Sequence, residues 1–175
     1  MANENEPQNL LIFRNGACVP GEGCLSAEGE NQIANSAKKI LRLIGGEEEE
    51  KEEEKSVLII CGTRIKMLQS AETLGRILGA EIKIDPVMDT EDKMAILDLI
   101  KSNADKKALV LMLDYDGIHG LPEYIAEKHY NAVFTKDTEI QKYPSLGGAI
   151  HIKDRIYNKP RSVNRIPSLM WSMIN

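Results

Sequence analysis

Three short runs, Leu10–Phe13 (LLIF), Val57–Cys61 (VLIIC) and Leu109–Leu113 (LVLML), are apolar at every position. A strand with one wet face alternates apolar and polar side chains. A run that is apolar throughout fits a strand buried on both faces, the usual situation in a parallel sheet covered by helices above and below. The intervening segments fit that demand. A helix starts near Ser26, with Ser26 as its cap, Glu28 and Glu30 at its positive end, and Ile33, Ala37, Ile40, Leu41 and Ile44 at helical spacing. A second runs from about Arg64 to Leu78, with Met67, Leu68, Ala71, Leu74 and Leu78 on one face. Ile82 and Ile84 make a short strand before Pro86, and Thr90 caps a third helix over Glu91–Asn103 with Met94, Ile96, Leu97 and Ile100 on its face. Gly117, Leu121 and Tyr124 begin another helical stretch, and Asn131–Thr135 and Ala149–Ile152 read as later strands. Alternation of this kind implies a three-layer α/β sandwich with a mainly parallel central sheet.

A chain of 175 residues suits one domain and buries about 70% of its unfolded surface. It divides into a flexible N-terminus (1–8), a single domain (9–157) and a C-terminal tail (158–175). The tail carries Lys159, Arg161 and Arg165 without helical period and ends in Leu169–Trp171, which reads as an end that docks on the core or on a neighbouring subunit. The net charge is −5, and much of the acidity lies in EEEEKEEEK, Glu47 to Lys55. After Gly45-Gly46 this run (loop 45–55) reads as a self-repelling solvated connection rather than a docking tail for a basic partner. An acidic balance argues against nucleic acid as a partner. No apolar run reaches the ~20 residues of a membrane span, and MANENEPQN has neither region of a secretory signal, so the expected location is cytoplasmic. Cys18, Cys24 and Cys61 have no zinc-like spacing, and reduced thiols are the natural expectation.

In sheets of this type ligands gather at the carboxyl ends of the strands. Those ends carry Arg14 and Asn15, then Cys61 to Lys66, then Asp114 to Asp116. The pieces FRNG (Phe13–Gly16), LSAEGENQ (Leu25–Gln32), CGTRIKMLQSAETLG (Cys61–Gly75), LMLDYDGI (Leu111–Ile118) and PSLGGAI (Pro144–Ile150) follow one another in that order. In order and spacing they resemble the histidine phosphatase (phosphoglycerate mutase-like) superfamily, and within it the small phosphohistidine phosphatases. Members show Arg-His-Gly after the first strand, Leu-Thr-x-x-Gly-x-x-Gln at a helix start, Ser-Pro-x-x-Arg with Gln-Thr-Ala-Glu further on, and a later strand ending in a second His.

The resemblance implies a phosphate pocket whose catalytic histidines are replaced. The nucleophile position falls on Asn15, the second His position on Asp114, and the phosphate-binding positions on Arg14 and Lys66, with Arg64 nearby as a substitute. A neutral imidazole has a lone pair that can attack phosphorus, whereas the lone pair of an Asn amide nitrogen is delocalised, so covalent catalysis by this route is lost. Asn15 retains the ability to hydrogen-bond a phosphate oxygen. Asp114 puts a carboxylate where an anion should sit, and like charges about 4 Å apart repel by up to ~4 kcal/mol at an effective dielectric of 20. The expected compensation is an internal Asp114–Arg14 ion pair that fills the pocket. The same pair also reads as plain scaffold.

Two rivals compete. LMLDYDGI also resembles the first motif of the haloacid dehalogenase-like phosphatases, with Asp114 as nucleophile, Asp116 as general acid, Asp89 or Asp92 as remote metal ligands, and Mg²⁺ neutralising phosphate. That motif normally opens its domain. A receiver domain would need paired acids after its first strand, and VLIICGTR has none. His119 could face the site or solvent, His129 reads as exposed and His151 as packed. Cys61 lacks a His partner or a Cys-x5-Arg loop and reads as a small buried hydrophobe. The function expected is a degenerate histidine phosphatase-like protein, catalytically inactive, binding a phosphorylated protein or small phosphate ligand. The alternative is an active phosphatase on phosphohistidine or a small phosphomonoester, including the Mg²⁺-dependent form through Asp114 and Asp116. No cofactor and no resident metal are expected.

Overall fold

The computed structural model describes residue 7 and residues 9–44, 57–128, 145–153 and 170–174. Its elements are β1 (Leu10–Arg14), α1 (Ala27–Ile44), β2 (Val57–Cys61), α2 (Ile65–Leu78), β3 (Glu81–Ile84), a 3₁₀ turn (Pro86–Asp89), α3 (Lys93–Ser102), β4 (Ala108–Leu113), α4 (Tyr115–Ile118), α5 (Leu121–Lys128), β5 (Ala149–Lys153) and β6 (Met170–Ile174). The strands form one sheet in the order β3-β2-β4-β1-β5-β6. Pairings β3–β2, β2–β4 and β4–β1 are parallel, while β5 runs antiparallel to both β1 and β6.

The period of two in a strand divides the apolar runs between two cores. Leu11, Phe13, Ile59, Cys61, Val110 and Met112 face one side, where Ile33, Ala37 and Ile40 of α1 and Met67, Ala71 and Leu74 of α2 meet them. Leu10, Ile12, Leu58, Ile60, Leu109 and Leu111 face the other, against Ile96 and Ile100 of α3, Ile118 of α4 and Leu121 and Ile125 of α5. Two-sided burial is therefore the physical reason for the unbroken apolar runs.

Ser26 caps α1 as its sequence position suggests, accepting from Gly29 N at 3.1 Å while its hydroxyl donates to Ala17 O at 2.9 Å. The third helix differs from expectation. It begins at Lys93, and its cap is Asp92, whose Oδ1 accepts from Met94 N and Ala95 N, both at 3.1 Å. Thr90 instead closes the preceding turn by donating to Val87 O at 2.7 Å, because Asp85 and Pro86 start a 3₁₀ turn that uses those residues first. The helical stretch after Gly117 divides at His119–Gly120, where Gly120 takes φ 65°, into α4 and α5. The segment set apart as a tail contributes β6, which extends the sheet beyond β5 and buries Ile174 in the core of the same chain. Loop 45–55 and the expected strand 131–135 lie outside the described residues.

Candidate functional site

The sheet order sets β1 beside β4 and β4 beside β2, so the carboxyl ends of these three strands open on one edge. The loop after β1 is held there from every side. Asn15 N donates to Leu113 O (3.1 Å) at the end of β4, and Gly147 N donates to Asn15 O (3.0 Å) from the loop before β5. Gly16 N donates to Ser70 Oγ (3.2 Å), Ala17 N to Gln32 Oε1 (3.0 Å) and Leu25 N to Gln69 Oε1 (2.6 Å). The glutamines of LSAEGENQ and QSAETL thus brace the loop rather than face a ligand. Gly147 sits at φ 69°, where a Cβ would lie 2.6 Å from Gln32 Cβ, so both the turn and the approach of α1 require glycine.

Asn15 is buried, and its side-chain amide is turned onto its own loop, donating to Gly16 O at 2.9 Å with Cys18 Sγ at 3.9 Å. Asp114 is also buried and caps α4, its Oδ1 accepting from Gly117 N at 3.0 Å. Its Oδ2 accepts from Arg64 Nη1 and lies 3.6 Å from Lys66 Nζ. The expected partner of Asp114 was Arg14. The structure instead brings Arg64 and Lys66 onto the carboxylate and lays the Arg14 guanidinium over the Tyr115 ring, 5.2 Å from its centroid, in a cation–π contact. The reason is positional. Arg64 and Lys66 stand at the start of α2, directly past the end of β2, which is paired to β4, and the start of α2 places both near Asp114.

A second acid completes the arrangement. Asp89, at the end of the 3₁₀ turn, accepts from Thr63 N and Thr63 Oγ1 through Oδ2, both at 2.7 Å, and its Oδ1 lies 3.8 Å from Arg64 Nε. Arg64 therefore spans Asp89 and Asp114, with about half of its side chain exposed. Sequence reasoning found Arg14, Asn15, Arg64, Lys66 and Asp114, and the structure gathers all five at one edge. It included Thr63 and Tyr115 only as members of the strand-end runs, gave Ser70 no role, and considered Asp89 only as a metal ligand. The available signal was Thr63 and Arg64 side by side in CGTR, two donors that an acidic neighbour can accept from, but both are exposed and water can satisfy them as well.

The remaining candidates fall elsewhere. Both hydrogen bonds to Asp92 Oδ1 cap α3, and Asp116 is exposed in the first turn of α4. Among the described residues no group of three or more His, Cys, Asp or Glu side chains could hold a metal ion. His119 is exposed, whereas His151 is buried with Nε2 3.0 Å from Asn9 Oδ1; His129 lies outside the described residues. The three cysteines are free. Burial, reinforced by the charges of Asp89 and Glu72, pushes the Cys61 thiol up to about 11, so it carries no reactive thiolate near neutral pH.

Chemically, the edge offers cations around an internal carboxylate, with the buried amide of Asn15 beside them. Comparison of the sequence with protein-family models and with curated proteins gives no match. Comparison of the fold gives clear ones. A protein named as the phosphohistidine phosphatase SixA of Agrobacterium tumefaciens is similar at TM-score 0.59 and 14% identity, over 97% of this chain and 96% of that one. A mycobacterial glucosyl-3-phosphoglycerate phosphatase is similar at TM-score 0.55 and 12% identity, over 95% and 96%. Phosphoglycerate mutase of Plasmodium falciparum is similar at TM-score 0.54 and 11% identity, over 96% and 90%. The chain has the histidine phosphatase-like fold.

Proposed function

We propose that this chain is a degenerate histidine phosphatase homologue that has lost covalent catalysis and binds a phosphorylated protein or small phosphate ligand without turning it over. The observation that carries the reading is the state of the pocket edge. Asn15, an amide, occupies the end of β1, and the Asp114 carboxylate already holds Arg64 and Lys66. The amide nitrogen of Asn15 lacks an available lone pair, so no phosphoryl-enzyme forms there. The carboxylate acts as an internal anion: an incoming phosphate must draw Arg64 or Lys66 away from Asp114 and then sit near a like charge.

Arg64 suits such an exchange. Its side chain is half exposed, and its fork of donors matches a phosphate as well as a carboxylate. Lys66 supplies a point charge from the first turn of α2. Arg14, ordered on Tyr115, adds a further cation at the end of β1. Binding without turnover is the expected behaviour, with low affinity for free inorganic phosphate.

The test is hydrolysis of a generic aryl phosphate and of a phosphohistidine peptide, each with Mg²⁺ and with EDTA. No turnover in either buffer is the expected result. Mg²⁺-dependent turnover abolished by Asp114→Asn would replace this reading with an aspartate-based phosphatase. Turnover independent of Mg²⁺ would make the chain an active phosphatase with a substitute nucleophile.

A further inference from the structure

A groove of about 500 Å³ runs between α1 and the loop before β5. Arg14, Asn15, Arg64, Lys66 and Asp114 do not line it. The fold fixes part of its wall: Ser36 is buried and donates to Gly147 O at 2.5 Å. Gln32 is held as well, accepting from Ala17 N at 3.0 Å and donating to Glu28 Oε1 at 3.3 Å. One end of the groove is cationic. Lys38, Lys39 and Arg42 line it within about 6 Å of helix axis, on a chain whose net charge is −5. None of the three has an ion pair among the described residues. The carboxylates in the first turn of α1, Glu28 and Glu30, stand about 12–15 Å away along the axis. Lys38 and Lys39 lie four and three residues from Arg42, like-charge spacings that weaken a helix. Only Arg42 is in the last turn, where a cation offsets the helix dipole. The two lysines have no such structural use.

We infer that this groove binds an organic di- or triphosphate, with its phosphates on Lys38, Lys39 and Arg42 and its uncharged body along Asn35, Ser145 and Leu146. The distribution of charge selects that class. Three cations in little more than one helical turn exceed what a single phosphate requires and match two or three adjacent ones. The Arg42 fork can take two oxygens of one phosphate, and the lysines act as point charges on its neighbours. An acidic peptide fits less well, because carboxylates on one face of an extended chain recur only about every 7 Å. The rest of the groove carries no charge. Asn35 and Ser145 are exposed and offer an amide and a hydroxyl, and Leu146, at 37% exposure, offers an apolar contact. The volume lies within the roughly 300–1,000 Å³ typical of small-molecule sites.

The experiment is calorimetric titration of the full chain with ADP in the absence of Mg²⁺, with inorganic triphosphate as competitor. It is repeated on Lys38→Gln/Lys39→Gln/Arg42→Gln, on Arg64→Gln, and on a chain whose loop 45–55 is replaced by a Gly-Ser linker. Circular dichroism checks that each variant is folded. The wild type is expected to bind ADP one-to-one and to release it to triphosphate. The triple variant is expected to bind ADP about tenfold or more weakly, while Arg64→Gln and the linker variant bind it as the wild type does. A wild type that does not bind ADP overturns the inference, as does binding that the triple variant leaves unchanged. Binding lost in Arg64→Gln would place the ligand at the Asp114 edge and overturn it too. So would binding that appears only in the linker variant, since the chain's own carboxylates would then be the occupant.

Discussion

Asp114 is both a structural cap and an internal anion, and the two roles can be separated. Asn is as good a helix cap as Asp, so Asp114→Asn keeps the Gly117 N hydrogen bond while removing the charge that holds Arg64 and Lys66. Phosphate affinity is expected to rise about fivefold or more in this variant, because removing a nearby like charge contributes about 1 kcal/mol or more even when screened. Calorimetric titration with inorganic phosphate checks it; unchanged affinity would mean that phosphate does not enter this edge. Cys61 behaves oppositely to a reactive thiol. Its value of about 11, raised from 9.0, predicts that an alkylating reagent at pH 8 modifies Cys18 and Cys24 but reaches Cys61 only after unfolding. The sign for stability follows from proton binding. Below pH 9 the thiol is protonated in both states and its contribution is intact, whereas between 9 and about 11 only the unfolded chain ionises, so stability falls as pH rises through that window. Mass spectrometry of alkylated native and urea-unfolded protein, with urea melts at pH 8 and 10.5, tests both statements.

Among the elements, α1 shows how a local signal and a tertiary contact combine. Ser26 was legible as a cap from its place before an amphipathic run, and Ser26→Ala is expected to lower stability by about 1 kcal/mol. The same hydroxyl also ties the helix to Ala17 O, which no local rule predicts. Gly29 gives a sharper contrast. In a helix, Gly→Ala usually stabilises by up to ~1 kcal/mol. Here a Cβ would lie 2.2 Å from Ala17 O and 2.7 Å from Leu25 Cδ1. Gly29→Ala is therefore expected to destabilise by about 1–3 kcal/mol, the range for overpacking, and to loosen the loop carrying Asn15. Thermal melts give the sign, and a stabilised variant would contradict the packing described. The cap of α3 was misassigned because Thr90 and Asp92 are both good caps, and only the 3₁₀ turn at Pro86 decides which is free.

At the scale of the molecule, β6 joins the far end of the chain to the sheet. Deleting residues 170–175 removes the pairing of β6 with β5 and the burial of Ile174, and is expected to destabilise by at least about 2 kcal/mol from the isoleucine alone; urea melts of the truncated and full chains check it. The α/β layering and the mainly parallel sheet were legible because two-sided burial forces unbroken apolar runs, as in Leu10–Phe13 and Leu109–Leu113. The strand-end residues Arg14, Asn15 and Asp114 were legible for a related reason: the polar residue that ends such a run marks the edge where ligands gather, whereas Lys66, with Arg64 as its substitute, was reached through the family resemblance by counting back from Gln69. The partners of those residues were not. Asp114 meeting Arg64 and Lys66 rather than Arg14, Arg14 meeting Tyr115, and Asp89 holding Thr63 depend on strand order and on where α2 begins after β2. The docking of β6 on β5 is likewise a pairing between distant segments. Sequence by itself determined most of the buried positions, though Leu41 and Met94, expected on the apolar faces of their helices, are exposed, and it determined which polar groups reach the edge, since periodicity and side-chain chemistry are local. Tertiary structure alone decided which charge meets which, because a pairing energy depends on distances of a few ångströms that no one-dimensional pattern carries.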